Sequence, residues 1–174
     1  MSMAWIDYSK AFDSVPHSWI VKCLRLYKIN EQIIKMIEDQ MRNWKTNIVL
    51  NHNRGRVQIE NVKINRGIFQ GDSLSPLLFC LAINPLSVLL NNEELGYSLE
   101  KTRSRRSGKL ISHLLFMDDL KVYANNEANL KKLMEVVKRF SKDIGMKFGL
   151  DKCSKCSIKK GRKVGFFKYL KEKL

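Results

Sequence analysis

The stretch LISHLLFMDDLKVYA, residues 110–124, predicts two short strands that meet at the adjacent acids Asp118 and Asp119. Apolar residues flank the acidic pair on both sides, as in half-buried strands joined by a tight turn. Two like charges held side by side next to buried strands are electrostatically costly unless a cation neutralises them. Hard divalent ions such as Mg²⁺ prefer carboxylate oxygens, so the pair is a candidate set of metal ligands. The alternative is a solvated turn, which the dipeptide alone favours.

A third candidate acid follows an apolar stretch near the N-terminus. In AWIDYSKAFDSVPH, residues 4–17, Asp7 stands at the end of a short predicted strand. Two metal ions clamped by shared carboxylates stabilise the attacking and leaving oxygens of an in-line phosphoryl displacement. This chemistry needs carboxylates from separate segments of the chain. Asp7, Asp118 and Asp119 are therefore predicted to converge on one metal site.

A further polar segment, RGIFQGDSLSPLLF at residues 66–79, predicts a glycine-bearing loop in front of a helix. Gly71 gives the backbone freedom where a template or nucleotide must approach closely. Gln70 could hydrogen-bond a nucleotide. The polar residues that follow are consistent either with capping of the helix or with substrate contact, and they are Asp72, Ser73 and Ser75.

Periodicity around these segments predicts an α+β fold. Apolar residues at helical spacing follow Ser18, and Asn30 is the predicted cap of a second helix. Residues 47–64 change to an extended pattern around the turn-like NHNRG. The resulting order is strand, helices, strands, helix, hairpin, helix and strand. That order is typical of an antiparallel sheet with helices packed on one face.

Two later helices carry clearer boundary signals. Ser75 followed by Pro76 predicts a helix start, with serine as the cap. The apolar run behind them predicts a deeply buried helix that Pro85 should kink or split. A long amphipathic helix after the acidic hairpin should end at Gly145, because glycine favours a C-terminal stop.

The charge balance indicates an anionic partner. The 174 residues include 32 Lys and Arg against 17 Asp and Glu, which gives a formal net charge of +15. Nucleic acid is the first candidate partner and a membrane surface the second. No apolar run reaches the roughly 18 residues that predict a spanning helix. The basic segment KTRSRRSGK, residues 101–109, could contact phosphate groups, with a solubilising charged surface as the alternative.

The four cysteines fit a reduced, intracellular protein, and the N-terminus shows no secretory signal. Cys23 and Cys80 lie in apolar helical patterns and are predicted to be core thiols. Cys153 and Cys156 form one C-x2-C pair. A zinc site needs four ligands, and no second pair or suitably spaced histidine pair accompanies them. A metal role for this pair is therefore not favoured.

Taken in order, the polar segments resemble the motifs of reverse transcriptases from non-long-terminal-repeat (LINE-like) retrotransposons. AWIDYSKAFDSVPH resembles the first catalytic motif, GIFQGDSLSPLLFCLAINPL the second and LLFMDDLKVYA the third. FSKDIGMKFGLDKC resembles the fourth, with a helix end, a glycine and a lysine. The resemblance covers roughly residues 3–155. The ordered set is more specific than any single motif.

The resemblance implies a right-hand polymerase palm with a ferredoxin-like βαββαβ core and an RNA-directed DNA polymerase activity. It implies that Asp7 and Asp118 are the principal metal ligands and that Asp119 is the third carboxylate. Two Mg²⁺ ions are the implied cofactors, with Mn²⁺ as an alternative. The implied partners are an RNA template, a DNA primer and deoxynucleoside triphosphates.

The same resemblance assigns roles to further residues. Phe12 would pack under the sugar and exclude its 2′-hydroxyl, with a core aromatic as the alternative. Gln70 and Gly71 would contact the incoming nucleotide and the template. Lys152 would protonate the departing pyrophosphate as a general acid, with a solvated charge as the alternative. Asp13 belongs to the motif without being a metal ligand and is predicted to cap a helix start.

Departures from the family pattern shape the domain prediction. Residues 1–157 are predicted to be a palm that lacks the N-terminal fingers segment. Residues 158–174 are predicted to be a basic tail, the truncated start of the primer-grip and thumb region. The sequence is therefore predicted to be a fragment of a larger polyprotein. The alternative functions are an inactive nucleic-acid-binding remnant of a truncated element and another palm-fold enzyme such as a nucleotidyl cyclase.

Overall fold

The computed structural model describes residues 1–53, 55–98, 110–159 and 162–167, the last of these mainly by its backbone. Within these ranges the helices are α1 (Ala11–Ser14), α2 (His17–Leu26), α3 (Glu31–Asn43), α4 (Ser75–Asn92) and α5 (Glu127–Asp143). The strands are β1 (Ser2–Ile6), β2 (Lys45–His52), β3 (Gly55–Lys63), β4 (Tyr97–Ser98), β5 (Leu110–Ile111), β6 (His113–Phe116), β7 (Asp119–Ala124), β8 (Ser154–Lys159) and β9 (Arg162–Phe167). The basic segment 101–109 and tail residues 168–174 lie outside the described residues.

The central sheet is antiparallel, with strand order β6-β7-β1-β8-β9. Along β1, Ala4 and Ile6 pair with Val122 and Leu120 of β7, and all four side chains are buried. Because side chains alternate across a strand, these residues define one apolar face of the sheet. Helices α4 and α5 pack on the sheet and share this core. The order β1-α4-β6-β7-α5-β8 is the predicted βαββαβ core, so the predicted fold class is confirmed.

Helix α4 supplies the centre of the core, where Phe79 is fully buried. Its start differs slightly from the prediction, since Leu74 occupies the N-cap position and Ser75 is the first helical residue. The Asp72 carboxylate accepts hydrogen bonds from the Leu74 N–H and the Ser75 hydroxyl, both at 3.3 Å. Asp72 therefore provides the capping, one of the two roles that the sequence left open for it, whereas Ser75 is not the cap residue.

Pro85 lies inside α4 without splitting it, because the helix runs unbroken from Ser75 to Asn92. A proline removes a helical hydrogen bond and disturbs the preceding turn. In that turn the Ala82 carbonyl accepts a hydrogen bond from the Trp19 indole N–H at 2.8 Å. The carbonyl that loses its helical donor is that of Leu81, four residues before the proline, and Trp19 binds the carbonyl next to it. The predicted split is wrong.

The outer side of α4 was not evident from its sequence. Leu77, Val88 and Leu89 are 41–55% exposed. Cys80 is exposed as well, so its assignment as a core thiol is wrong, whereas Cys23 is fully buried as predicted. A helix that is apolar nearly all round offers little periodicity from which to read its outer face.

With a mean hydropathy of 1.3, α4 also has the length and composition of a membrane-crossing segment, a test that core helices pass too.

Helix α5 ends at Asp143, and Gly145, just beyond its C-cap, has a φ of 67° and stops the helix as the sequence predicted. The N–H of Gly145 donates to the Lys142 carbonyl at 3.0 Å, and the N–H of Met146 donates to the Ser141 carbonyl at 2.8 Å. This pair of bonds is the Schellman motif, which needs a residue tolerant of positive φ. The Arg66 guanidinium donates to the Gly145 carbonyl at 2.8 Å and so ties the helix end to the loop before α4.

Strands β2 and β3 form a separate two-stranded sheet, as the extended pattern predicted. Ile48 pairs with Ile59, and Leu50 pairs with Val57. Alternation places these four side chains on one face of the hairpin. They are 41–56% exposed. The hairpin is therefore amphipathic, and the described residues leave its apolar face open to solvent.

Replacing Gly67 by alanine is expected to destabilise the fold by about 3 kcal/mol. Gly67 has a φ of 88°, and an added Cβ would lie 2.7–2.9 Å from backbone atoms of Asp13. The left-handed conformation costs about 1–2 kcal/mol for alanine, and overpacking adds roughly 1–3 kcal/mol. Urea unfolding measures the loss.

Gly71→Ala is the matched control for this measurement. Gly71 has a φ of 93°, but an added Cβ would meet nothing within 4 Å. Alanine there should therefore cost about 1–2 kcal/mol, the conformational part alone. Equal losses at Gly67 and Gly71 would contradict the steric argument.

Candidate metal and nucleotide site

The β6–β7 hairpin places the acidic pair at a tight turn, as the sequence predicted. Phe116 pairs with Asp119 as the last rung of the ladder, which leaves Met117 and Asp118 as the two turn residues. Met117 has a φ of 53°, and positive φ is characteristic of two-residue hairpin turns. Asp118 is half-buried in the turn, whereas Asp119 is exposed at the start of β7.

Asp7 reaches the same edge of the sheet from β1. The last rung between β1 and β7 joins Ile6 to Leu120, so Asp7 follows on the strand next to Asp119. Asp7 and Asp119 both line one open cavity of about 620 Å³, here called the acidic cavity. Asp118 is not among the described residues that border it. Two of the three predicted metal ligands thus share a cavity, and the third lies in the adjoining turn.

Positive charge compensates these carboxylates weakly. Lys152 also borders the acidic cavity, and its Nζ lies 3.6 Å from Asp7 Oδ2. The lysine side chain is 68% exposed, and such surface ion pairs contribute little to stability. In the described part of the chain, neither Asp118 nor Asp119 forms a side-chain hydrogen bond or salt bridge. Lys121 borders the cavity as well, but it forms no salt bridge with Asp119 in the described residues. The Asp119 carboxylate is therefore unpaired there, and a bound cation would neutralise it.

The donor set fits a hard divalent ion. Mg²⁺ is usually bound through one or two carboxylates together with substrate phosphates and water. Asp7 and Asp119 supply two carboxylates at one cavity. The described residues contain no group of three or more His, Cys, Asp or Glu side chains placed to hold a metal ion. Among these residues the three predicted carboxylates thus do not form such a group, and an ion held by Asp7 and Asp119 would need further oxygen ligands.

Phe12 links the segment after Asp7 to the core and to the loop before α4. Its ring stacks on Phe79, with centroids 4.8 Å apart and planes 4° from parallel. Its carbonyl accepts a hydrogen bond from the Ile68 N–H at 2.9 Å. Phe12 itself is half-buried. One face of the ring therefore belongs to the core, and packing of this kind is compatible with contact to a sugar from the exposed side.

The loop before α4 presents Gln70 and Gly71 to solvent. Gly71 has a φ of 93°, so its conformation favours glycine although there is space for a side chain. Neither residue borders the acidic cavity.

Asp13 is exposed inside α1, whose N-cap is Lys10 with no side-chain cap bond. The predicted capping role of Asp13 is therefore wrong.

Tyr8 anchors the chain directly behind Asp7. Its hydroxyl forms a hydrogen bond with the Ser141 hydroxyl at 2.9 Å. Burial raises the pKa of Tyr8 to about 12, so the hydroxyl stays protonated even at alkaline pH, where an exposed tyrosine ionises. Tyr8 also forms an isolated backbone bridge with Phe148. The residue after Asp7 is thereby fixed to both α5 and the segment that follows it.

Sequence reasoning missed a second segment that supports Asp7, the one that contains Gly149 and Cys153. The Gly149 N–H donates to the Asp7 carbonyl at 2.8 Å, and the Asp7 N–H donates to Cys153 Sγ at 3.4 Å. Cys153 is fully buried, and burial raises the pKa of its thiol. The one feature of the sequence that could have indicated this contact was the position of Cys153 next to Lys152, which was predicted to act at the same site. Its C-x2-C spacing had raised the question of zinc instead.

Comparisons with known sequences identify relatives of the chain. The family model described as "Reverse transcriptase (RNA-dependent DNA polymerase)" matches residues 2–170. The Retrovirus-related Pol polyprotein from type-1 retrotransposable element R2 of Popillia japonica is 29% identical over 152 residues, which cover 87% of this chain and 23% of that protein. The type-1 R2 protein of Nasonia vitripennis is 32% identical, over 87% of this chain and 14% of its own length. The chain thus spans less than a quarter of these relatives.

Solved structures with a similar fold include telomerases. Apo telomerase from Candida tropicalis, truncated from the C-terminal domain, superposes with a TM-score of 0.60 at 14% identity, over 95% of this chain and 32% of that one. Telomerase from the same organism in complex with a TWJ fragment of telomeric RNA gives a TM-score of 0.57 at 14% identity. The superposition covers 88% of this chain and 25% of that one. At such identities the likeness concerns the fold alone, and it supports the predicted palm.

Proposed function

The chain belongs to the reverse transcriptase (RNA-dependent DNA polymerase) family, in the form found in non-LTR retrotransposons, and from this premise we propose that it is the palm of an RNA-directed DNA polymerase. The reaction adds a deoxynucleotide to the 3′-end of a primer and releases pyrophosphate. The observation that carries the proposal is the meeting of Asp7 and Asp119, from separate strands, at one cavity that Lys152 also borders.

Reverse transcriptases generally use divalent metal ions, and the proposed ions are two Mg²⁺, with Mn²⁺ as an alternative. Asp7 and Asp119 would hold them, and Asp118 would complete the carboxylate set from the neighbouring turn. When bound, the ions would supply Lewis-acid stabilisation of the attacking 3′-oxygen and the leaving pyrophosphate. The absence of a protein partner for Asp118 and Asp119 in the described residues supports this assignment.

The chain's own residues would position the substrates. Lys152, next to Asp7 at the cavity, would donate a proton to the departing pyrophosphate. Gln70 and Gly71 would contact the incoming nucleotide and the template from the exposed loop before α4. Phe12 would present the free face of its ring to the sugar, held in place by its stack on Phe79.

Phe12→Val is expected to reduce the preference for deoxynucleotides over ribonucleotides by about 10–200-fold, the range that small steric changes in a pocket produce. The smaller side chain would leave room for a 2′-hydroxyl. Single-nucleotide addition with matched dNTP and rNTP measures the ratio. A loss of activity equal for both nucleotides would instead identify Phe12 as a core aromatic without a role in sugar selection.

The proposed partners are an RNA template, a DNA primer and the remainder of a polyprotein such as the one found in the relatives. The formal net charge of +15 supports contact with phosphate groups. We also propose an intracellular location, because the four cysteines are free, as expected of a protein kept in a reducing compartment.

A second candidate function is nucleic-acid binding without turnover. The observation that favours it is the position of Asp118 outside the acidic cavity, together with the missing three-ligand group among the described residues. Under this alternative the palm fold persists and binds nucleic acid through its charge. Binding would then fall steeply with salt, as for any protein that neutralises phosphates.

Primer extension separates the two functions. The 174-residue chain is mixed with a DNA primer annealed to an RNA template, one matched dNTP and either Mg²⁺ or Mn²⁺, while fluorescence anisotropy follows binding across a salt series. Addition of one nucleotide with release of pyrophosphate is the expected result. Salt-sensitive binding without extension would overturn the polymerase proposal in favour of the second candidate.

A further inference from the structure

Asp7 lies just beyond the paired part of its strand, so its backbone needs hydrogen-bond partners from elsewhere. The ladder of β1 with β7 ends at Ile6, and its ladder with β8 ends at Trp5. The side chain of Asp7 is 25% exposed. Backbone N–H and C=O groups at this depth are costly to leave without partners. What holds the Asp7 backbone therefore also decides where its carboxylate lies.

Both backbone groups of Asp7 bond to the loop 149–153. The Gly149 N–H donates to the Asp7 carbonyl at 2.8 Å. The Asp7 N–H donates to Cys153 Sγ at 3.4 Å, and the Cys153 thiol lies 3.7 Å from the Asp7 carbonyl as a second, weaker donor. The loop is closed on itself, because the N–H groups of Lys152 and Cys153 both donate to the Gly149 carbonyl. The sulfur thus takes the place that a strand partner has along the rest of β1.

We propose that Cys153 is a positioning residue, whose sulfur fixes the backbone of Asp7 and thereby the direction of its carboxylate into the acidic cavity. Cys153 does not border that cavity, so it acts through Asp7. The inference rests on the proposed function, since it presumes that Asp7 binds a metal ion.

Gly149 closes off one side of the space around the Asp7 carboxylate, which makes a fixed backbone matter. A Cβ added at Gly149 would lie 2.5 Å from Asp7 Oδ2. The carboxylate therefore rests against the Cα of Gly149 on one side and faces Lys152 at 3.6 Å on another. A small rotation of the Asp7 peptide would move the carboxylate out of this position and change its distance from Asp119.

Cys156 provides a matched comparison for a thiol that is merely packed. Both thiols are free and buried, with Cys153 0% and Cys156 7% exposed. Cys156 lies on β8 opposite Met3. In the described residues its sulfur forms no hydrogen bond with Asp7. Loss of a buried sulfur is common to both cysteines, whereas loss of a bond to Asp7 is specific to Cys153.

The test is the affinity for Mn²⁺, measured by electron paramagnetic resonance on the complete 174-residue chain and its variants. Residues that orient a metal ligand typically change metal affinity by 10–100-fold, and Cys153→Ala is expected to weaken Mn²⁺ binding by about tenfold. Cys153→Ser keeps a side-chain acceptor at this position. Its affinity for Mn²⁺ should stay within about twofold of that of the unsubstituted chain. The affinity of Cys156→Ala for Mn²⁺ should also stay within about twofold of that value.

A second readout needs no metal. Without the sulfur acceptor, the Asp7 amide should exchange its hydrogen faster in Cys153→Ala, and no such change should occur in Cys156→Ala. Unchanged Mn²⁺ affinity and unchanged exchange in Cys153→Ala would overturn the inference. Equal losses in all three variants would overturn it too, because they would indicate packing alone. The proposed function fails separately if Asp7→Asn leaves Mn²⁺ binding intact.

Discussion

Asp7→Asn is expected to lower the rate of nucleotide addition by about 10³-fold, because a metal-held charge contributes several kcal/mol to the transition state and each 1.36 kcal/mol is a factor of ten. Asparagine keeps the shape of the side chain and removes its charge. The acidic cavity would then retain one carboxylate, that of Asp119, at its border. Steady-state addition of a single dNTP to a primer measures the rate.

Asp13→Asn is the control for this variant. It makes the same charge change six positions further along the chain, at an exposed residue of α1 that does not border the acidic cavity. Its rate should match that of the unchanged chain. If Asp7→Asn were as active as Asp13→Asn, Asp7 would have no role as a metal ligand and the polymerase proposal would lose its main support.

Phe79→Ala is expected to lower the free energy of unfolding by about 3–5 kcal/mol, the usual cost of emptying a buried phenylalanine site. The Phe79 ring, in the first half of α4, is fully buried and stacks on Phe12. Since a domain has about 5–15 kcal/mol of stability in total, the variant would lose a large part of it. Urea unfolding followed by circular dichroism measures the change.

Leu77→Ala is the control on the same helix. Leu77 is 55% exposed, and substitutions at such positions usually change stability by less than about 0.5 kcal/mol. The two variants delete large apolar side chains two positions apart. Similar losses for both would mean that α4 does not pack with Phe79 inward, and the core described above would be wrong.

Local signals in the sequence were sufficient for the elements that carry the site. The apolar residues on both sides of Asp118 and Asp119 predicted the hairpin, because short apolar runs on either side of a polar turn are typical of paired strands. Asn30 was predicted as the cap of α3, and its side chain accepts a hydrogen bond from the Gln32 N–H at 2.8 Å. Gly145 was predicted as the stop of α5 because glycine is favoured just after a helix, and its φ of 67° agrees with that prediction.

Features that depend on register could not be predicted in the same way. Asp118 and Asp119 are equivalent in sequence, and the pairing of Phe116 with Asp119 decides which of them belongs to the strand. That pairing sends Asp119 to the acidic cavity with Asp7. The assignment of Asp118 as a principal ligand came from the family resemblance and stays a prediction.

The contribution of Cys153 was beyond sequence reasoning for a different reason. Its hydrogen bond joins residues 146 positions apart, and nothing local to either residue indicates it. Cys80 shows the opposite error, since its apolar neighbours suggested burial although it faces outward. A thiol carries little information about its surroundings, because cysteine is compatible with both apolar and polar contacts.

The open hairpin of β2 and β3 bears on how the chain behaves at high concentration. In the described residues each strand pairs with the other and with no third strand. Unpaired strand edges beside exposed apolar side chains are templates for strand addition by another molecule. Intermolecular aggregation is therefore expected to begin at this hairpin, none of whose described residues borders the acidic cavity. Charged substitutions on the apolar face would improve solubility without changing the residues of that cavity.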